Sequence, residues 1–128
     1  MPIPYVPAQW EVLKCDFGGL RAPELNKPRP VVVVSRAFAS RRKLCTVVAL
    51  STTAPKVVER FNYQLTRKPL ATEADVWAKG DMIMAVARFR LSGYWFEKDV
   101  RGTRRYERIF IHADDRPRIR EAILAALV

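Results

Sequence analysis

The stretch "NKPRPVVVVSR", residues 26–36, places four consecutive valines after an arginine that stands between two prolines. β-Branched residues on both faces of an extended segment are typical of a central strand covered on each side. Pro30 can only stand at the start of such a strand, since proline has no N–H to donate to a neighbour. The stretch therefore predicts a buried strand over residues 30–35. The two prolines stiffen the backbone around Arg29, which lies at the N-terminal end of this strand.

The rest of the chain predicts further strands and one helix. The strand-like segments are "WEVLKCDF" (10–17), "KLCTVVAL" (43–50), "VVERFNYQL" (57–65), "WAKGDMIMAVARF" (77–89), and a hairpin of the segment around "GYWFEK" (93–98) with "RRYERIFIH" (104–112). The first is expected to be buried mostly on one face, and the segment at 77–89 to end in a short helical turn. The closing "DDRPRIREAILAALV" is the one convincing helix, which Asp114 or Asp115 can cap.

These elements define the predicted fold class. Five to seven mainly antiparallel strands with irregular connections and one C-terminal helix favour a mostly β protein, closed toward a small barrel. The 128 residues, 49% of them hydrophobic, fit a single domain spanning 1–128. No apolar run reaches the ~18 residues of a membrane span and the N-terminus lacks the features of a signal peptide, so we expect a cytoplasmic protein without a membrane partner.

The charge of the chain is strongly positive. With 23 Lys+Arg against 13 Asp+Glu the formal net charge is +10, which would attract phosphate backbones, anionic membranes or an acidic protein partner. The densest clusters, "SRRKL" (40–44) and "VRGTRRYER" (100–108), look like connections between strands, where charge often serves only solubility. Charge alone does not choose among these partners.

Ordinary catalytic sets are missing from the sequence. His112 is the single histidine, which excludes a two-histidine ribonuclease mechanism within one chain. The sequence contains no HExxH, GxSxG or Walker motif and no cluster with metal-ligand spacing. Cys15 and Cys45 lack CxxC spacing and are expected to be buried reduced thiols. An enzyme with this sequence would therefore use a site without metal, cofactor or catalytic histidine.

Two places can supply polar groups where a central strand meets a loop. Arg29 offers a planar guanidinium that can donate two parallel hydrogen bonds to phosphate oxygens. The hydroxyls of "STT", Ser51 to Thr53, end the next apolar strand, and alternation aims Ser51 and Thr53 one way and Thr52 the other. If the two strands are neighbours, Arg29 and these hydroxyls approach one edge. Each also has an ordinary structural explanation, as an ion pair of Arg29 with Glu24 or as turn capping.

Several blocks of the sequence resemble a known family. "VLKCDFGGLRAPELNKPRPVVVVS" followed by "CTVVALSTTAP" is similar to the PemK/MazF toxins of type II toxin-antitoxin modules, with a weaker third block at "WAKGDMIMAVARFRL" (77–91). The resemblance implies a small SH3-like barrel that forms a homodimer and acts as a sequence-specific, metal-independent endoribonuclease on single-stranded RNA. It also implies a cognate antitoxin, and the positive surface suits an acidic one. The chain departs from the family at Trp10 and Glu11, where Gly-Asp is frequent.

The resemblance also implies roles for individual residues. Arg29 and Thr52 match the catalytic arginine and threonine, Glu24 matches a supporting loop acid, and Asp81 matches the aspartate of the third block. The remaining predicted RNA contacts are Arg21, Lys27, Ser51, Thr53, Arg41 and Arg42. Each tryptophan is expected to lie in the core, although an exposed one, such as Trp10 or Trp95, could stack on a base.

Two other functions remain open at this stage. A toxin of the same fold could poison DNA gyrase by protein contact, without using Arg29 or Thr52 for chemistry. A basic module could also bind nucleic acid without cleaving it. The combination of Arg29 with the "STT" hydroxyls favours the nuclease, because a pure binding module has no reason to combine them.

Overall fold

The structure is a computed structural model that describes residues 2–70, 74–98, 101 and 104–128, with the side chains of 95–98 and 104–106 excepted. Its strands are β1 (Glu11–Cys15), β2 (Arg29–Val33), β3 (Leu44–Ser51), β4 (Asn62–Gln64), β5 (Trp77–Ala87), β6 (Leu91–Ser92), β7 (Trp95–Lys98), β8 (Arg104–Tyr106) and β9 (Ile109–Phe110). Short 3₁₀ turns lie at Ala39–Arg41, Arg88–Arg90 and Ala113–Asp115, and the chain ends in the helix α1 (Arg116–Leu127).

The main sheet is antiparallel, in the order β4-β5-β3-β2-β1-β6, and β9 pairs with the other end of β1. β7 and β8 form a separate hairpin, as predicted. The sheet curves into a half-barrel with a single C-terminal helix, which confirms the predicted fold class.

The valines of β2 divide the core into two clusters. Val31 and Val33 pack on one face of the sheet with Leu13 and Phe17, while Val32 packs on the other face with Ile119 of α1. Cover on both sides of β2 is what its valines predicted. The expectation that β1 is buried mostly on one face is wrong, because β1 lies beside β2 and both of its faces are covered by the same two clusters.

A close approach joins β5 to the helix. A Cβ at Gly80 would lie 2.5 Å from the carbonyl oxygen of Ala122, so only glycine allows this contact. The register of β5 against β3 shifts here, since Lys79 pairs with Ala49 whereas Ile83 pairs with Val48. β5 then ends in the expected helical turn at Arg88–Arg90.

Two predicted strands are shorter than expected. Of 57–65 only Asn62–Gln64 is a strand, and Val57 and Val58 are exposed and pair with no strand that the structure describes. The single strand predicted over 104–112 is wrong, since its first part pairs with β7 and its last part pairs with β1.

Trp10, the residue before β1, has an unusual backbone conformation. Its φ of 73° lies in the left-handed region, its backbone N–H donates to Val33 at 2.6 Å, and its side chain is only 4% exposed. The guanidinium of Arg120 lies 5.2 Å from the centroid of its ring. Trp10 is therefore a core residue, as expected, and is not available to stack on RNA. The side chain of Trp95 lies outside the described residues.

The two thiols are free, as expected, with Cys15 buried and Cys45 half-buried. Burial raises the pKa of Cys15 to about 12 and that of Cys45 to about 11, so both stay protonated near neutral pH. In the described part of the chain, no helix has both the length and the apolar character to span a membrane.

Candidate active site

Arg29 is the first residue of β2, where the strand emerges from the loop at 16–28. It pairs with Cys15 of β1, and its side chain is exposed. Among the described residues no acid or carbonyl is bonded to its guanidinium. On the other side of β2, Val31 pairs with Ala49, and continuing that register by two residues brings Arg29 opposite Ser51. The predicted neighbourhood of Arg29 and the "STT" segment is therefore present.

An open cleft of about 230 Å³ lies at this edge. Its lining combines charged, hydroxyl and apolar side chains, namely Leu25, Arg29, Ala49, Leu50, Ser51, Thr53, Lys79 and Met82. Strand neighbours explain this grouping, since β3 stands between β2 and β5 in the sheet. The cleft thus presents two cations and two hydroxyls to solvent, which suits an anionic ligand.

The three hydroxyls are not equivalent. Ser51 Oγ accepts a hydrogen bond from the Thr53 N–H at 3.1 Å and donates to the Thr53 carbonyl at 3.3 Å, which closes the turn after β3. Thr52 is exposed at that turn and lies outside the set that lines the cleft. Its hydroxyl forms no hydrogen bond with the rest of the described chain. Alternation therefore placed Ser51 and Thr53 together and Thr52 apart, as predicted.

Glu24 is bound to its own loop. Its Oε2 accepts a hydrogen bond from the Arg21 N–H at 3.2 Å, and its N–H donates to the Arg21 carbonyl at 2.8 Å. No ion pair joins Glu24 to Arg29 among the residues that the structure describes. Leu25 lines the cleft directly after Glu24, and Lys27 is exposed between Leu25 and Arg29. Arg21, Glu24 and Lys27 therefore belong to the loop that borders the cleft.

Arg90 holds the start of this loop. Its Nη1 donates to the carbonyl oxygens of Asp16 at 2.9 Å and Gly18 at 3.0 Å. The charged donor satisfies two exposed carbonyls at once and links the loop to the turn at Arg88–Arg90. Sequence reasoning missed this clamp, because nothing in the local pattern joins residues 72 and 74 positions apart.

Asp81 lies at the irregular part of β5. It is exposed and stands between Gly80 and Met82. Lys79 and Met82 line the cleft, but the side chain of Asp81 is not part of the lining. Lys79 was missed as a candidate, although it stands in the third block of the family resemblance.

Arg41 and Arg42 lie at the opposite end of β3. The turn at Ala39–Arg41 connects the end of β2 to the start of β3. β3 has eight residues, so its two ends are separated by ~23 Å along the strand at about 3.3 Å per residue. Both arginines are exposed, and they line two different recesses away from the cleft. The geometry does not bring them to Arg29.

A second polar cluster, also missed by sequence reasoning, surrounds the fully buried Glu11. Its carboxylate accepts hydrogen bonds from the Tyr5 hydroxyl at 2.5 Å, the Ala8 N–H at 3.1 Å and the Arg108 guanidinium at 2.7 and 3.3 Å. Burial and the bond to Glu11 raise the pKa of Tyr5 to about 12. Since every oxygen is occupied, this cluster fastens the N-terminal segment and β9 to β1.

No metal centre is evident in the parts of the chain that the structure describes, where no three His, Cys, Asp or Glu side chains are placed to hold one ion.

Comparison with known families assigns the chain. A model of the PemK-like, MazF-like toxins of type II toxin-antitoxin systems matches residues 8–105. The chain belongs to this family. The match includes the two blocks within 12–55 and the weaker third block at 77–91 that carried the resemblance. A comparison with curated protein sequences finds no match.

Solved structures share the fold at low sequence identity. MazF from Deinococcus radiodurans (Form-I) has a TM-score of 0.66 and 17% identity, covering 96% of this chain and 97% of that chain. An endoribonuclease in complex with its cognate antitoxin from a mycobacterial species has a TM-score of 0.64 and 18% identity, covering 94% of each chain. MazE-MazF (Form-II) from Deinococcus radiodurans has a TM-score of 0.60 and 19% identity, covering 96% of each chain.

Proposed function

We propose that the protein is a toxin that acts as a sequence-specific endoribonuclease on single-stranded RNA, with the cleft at Arg29 as its active site. One observation carries the proposal: an exposed arginine without a counter-charge among the described residues shares an open cleft with the hydroxyl-bearing end of β3. Membership of the PemK-like, MazF-like toxin family supports it.

The proposed reaction is a transesterification. The ribose 2′-OH loses its proton and attacks the adjacent phosphorus, so that the P–O2′ bond forms while the P–O5′ bond breaks. The leaving oxygen takes up a proton, and the products carry a 2′,3′-cyclic phosphate and a 5′-OH. Because RNA supplies its own nucleophile, the protein need only orient the backbone and stabilise the more negative phosphorane, without a metal.

Arg29 is the proposed electrostatic catalyst. Its guanidinium can donate two charge-assisted hydrogen bonds to the phosphorane oxygens. Loss of such a donor typically slows the chemical step by about a hundredfold to a thousandfold. Lys79 lies on another wall of the same cleft and adds a second cation for the phosphate.

Thr52 is the proposed hydroxyl partner of Arg29. The hydroxyl of Ser51 is already engaged with the backbone of Thr53, whereas that of Thr52 is exposed and has no bond to the described residues. A free hydroxyl can hold a phosphate oxygen or the 2′-OH as RNA enters. Thr52 lies beside the cleft, which Ser51 and Thr53 line.

Glu24 is the proposed acceptor of the 2′-OH proton. Arginine is a poor base near neutrality, because its guanidinium stays protonated there. One oxygen of Glu24 accepts from Arg21, and the other is free of bonds to the described residues. If Glu24→Gln cleaves RNA at the parent rate, the carboxylate is not the base.

RNA binding is proposed to follow the basic surface. Arg21 and Lys27 on the loop bind phosphates beside the cleft, Asp81 contacts RNA at its rim, and Arg41 and Arg42 bind phosphates further away. Each phosphate contact on a single strand contributes about −0.7 to the slope of log affinity against log salt concentration. A steep loss of affinity with added salt is therefore expected. The protein is further proposed to act as a homodimer and to be neutralised by an acidic antitoxin that pairs with its net charge of +10.

Cleavage mapping tests the proposal. Purified protein is incubated with a long RNA in EDTA, and new 5′-OH ends are mapped for the parent, Arg29→Ala and Arg118→Ala. Arg118 is a matched control, because it carries the same charge on α1 and pairs with Glu121 at 3.2 Å. Site-specific cuts that only Arg29→Ala loses support the proposal. RNA binding without cuts, or DNA breaks that appear only with gyrase, would overturn it in favour of a binding module or a gyrase poison.

A further inference from the structure

The connection between β2 and β3 carries an unbalanced positive charge. Its sequence "RAFASRRKL" (36–44) contains four cations and no acid, and we call residues 36–43 the basic turn. All four cations, which are Arg36, Arg41, Arg42 and Lys43, are exposed. None of them forms an ion pair with any acid that the structure describes. Their charge is therefore available to a polyanion in solvent.

An aromatic ring stands at the centre of the basic turn. Phe38 is 50% exposed and lines two recesses, of about 220 and 450 Å³. Arg36 and Arg41 line the first recess, and Arg42 lines the second. The Arg36 guanidinium lies 5.8 Å from the ring centroid. Phe38 is thus an exposed aromatic residue shared by two recesses that are each lined by arginine.

We propose that the basic turn is a second contact for single-stranded RNA, in which Phe38 stacks on an unpaired base while Arg41 and Arg42 bind the phosphates on either side of it. The inference rests on the proposed RNA substrate and adds to it a contact outside the cleft. Proteins that bind single strands combine a positive surface with aromatic platforms in this way. The phosphates of a strand flank each base on both sides, and arginines line both recesses that Phe38 shares.

An acidic protein segment fits this surface less well. Such a segment would anchor an apolar side chain in a recess and would need no exposed aromatic ring among the cations. A flat, exposed ring is suited to a flat partner, and every base has such a face.

The distance to the cleft sets the length of RNA required. The basic turn and the cleft lie at opposite ends of β3, ~23 Å apart along the strand. At the 3.4 Å per phosphate of a stacked strand this corresponds to about seven nucleotides. A four-nucleotide substrate that fills the cleft does not reach Phe38, whereas a twenty-nucleotide substrate does.

The binding test uses Arg29→Ala as the parent, so that the RNA is not cut. Fluorescence anisotropy with a labelled twenty-nucleotide oligouridine compares this parent with versions that add Phe38→Leu or Phe38→Trp. Phe38→Leu should weaken binding by about five- to a hundredfold through the loss of stacking, and Phe38→Trp should retain it. Adding Arg41→Ala and Arg42→Ala together should reduce the salt slope by about 1.4. Arg118→Ala, which removes one charge elsewhere, should leave the effect of Phe38→Leu unchanged.

Substrate length provides the second readout. In the otherwise unaltered protein, Phe38→Leu should lower kcat/KM for a twenty-nucleotide RNA that contains a mapped cut site, and leave a four-nucleotide version unaffected. Equal oligouridine binding by Phe38→Leu and its parent would overturn the inference. The inference would also be overturned if Phe38→Leu weakened the binding of polyglutamate but not that of oligouridine. That result would indicate a protein-docking surface. Binding that depends on Phe38 in a protein that never cuts RNA would support this contact and refute the proposed nuclease.

Discussion

The Tyr63 hydroxyl donates a hydrogen bond of 2.6 Å to the carboxylate of Asp115, 52 residues further along the chain. The same carboxylate accepts from the hydroxyl and N–H of Thr66 at 2.8 and 3.2 Å and from the N–H of Arg67 at 3.3 Å. Asp115 is fully buried. Sequence reasoning assigned it, or Asp114, as a cap of α1. Asp115 does precede the helix, but its side chain makes no capping bond and instead ties β4 and the following loop to the helix.

Replacement of Asp115 by alanine should destabilise the protein. Four donors lose an acceptor that is itself fully buried, and we expect the free energy of unfolding to fall by about 3–5 kcal/mol. Urea unfolding at neutral pH measures the change. Asp114→Ala is the matched control, because that side chain is 76% exposed and should cost at most about 1 kcal/mol. Equal stability of the two variants would contradict the anchoring role of Asp115.

The stability of the protein should depend on the ionisation of Asp115. Burial tends to raise the pKa of this carboxyl, but the bonds from Tyr63, Thr66 and Arg67 outweigh it and hold the pKa below the ordinary value. A lowered pKa stabilises the fold above the unfolded-state value of about 3.9, and that contribution is lost as the pH falls through the folded-state value. Urea unfolding from pH 7 to pH 3 should therefore give a steeper acid loss for the parent than for Asp115→Ala. Parallel curves would refute this.

The Glu11 cluster predicts a strong coupling between two substitutions. Arg108→Met leaves the fully buried Glu11 carboxylate without its counter-charge and should cost about 2–4 kcal/mol. Adding Glu11→Gln removes the uncompensated charge, so the double variant should be more stable than the sum of the single effects predicts. A double-mutant cycle by urea unfolding measures the coupling. Additive single effects would show that the ion pair contributes nothing.

Lys79 should contribute to RNA cleavage. It lines the cleft with Arg29, and a charged hydrogen bond to phosphate contributes about 1.5–3 kcal/mol. Lys79→Ala should therefore lower kcat/KM by roughly ten- to a hundredfold. Arg118→Ala serves again as the control for loss of one charge. If Lys79→Ala and Arg118→Ala cleave at the same rate, Lys79 does not contact the substrate.

The strands of the core could be predicted because their sequence pattern reflects their burial. Unbroken valines in β2 need cover on both faces, and the sheet supplies it. The edges were harder to predict. Val57 and Val58 have the same β propensity but pair with none of the described strands, so propensity alone overextended β4. The break after Tyr106 arises because the next residues pair with β1, a partner almost a hundred positions away.

The cleft was predictable in part. Prolines around Arg29 and hydroxyls at the end of the next strand are local signals, and adjacent strands bring them together. Lys79 reaches the cleft because β5 pairs with β3, a long-range pairing that no local periodicity shows. The roles of Arg29, Thr52 and Glu24 in catalysis stay predictions that the cleavage experiments test.

The φ angle of Trp10 is positive, a conformation that glycine adopts freely and bulky residues avoid. The indole is buried in the core, so the chain cannot relax this torsion without pulling the ring out. The buried indole of Trp10 therefore fixes the direction in which the N-terminal segment enters β1. A smaller residue at position 10 would no longer fix this direction, and the segment before β1 would be freer to move.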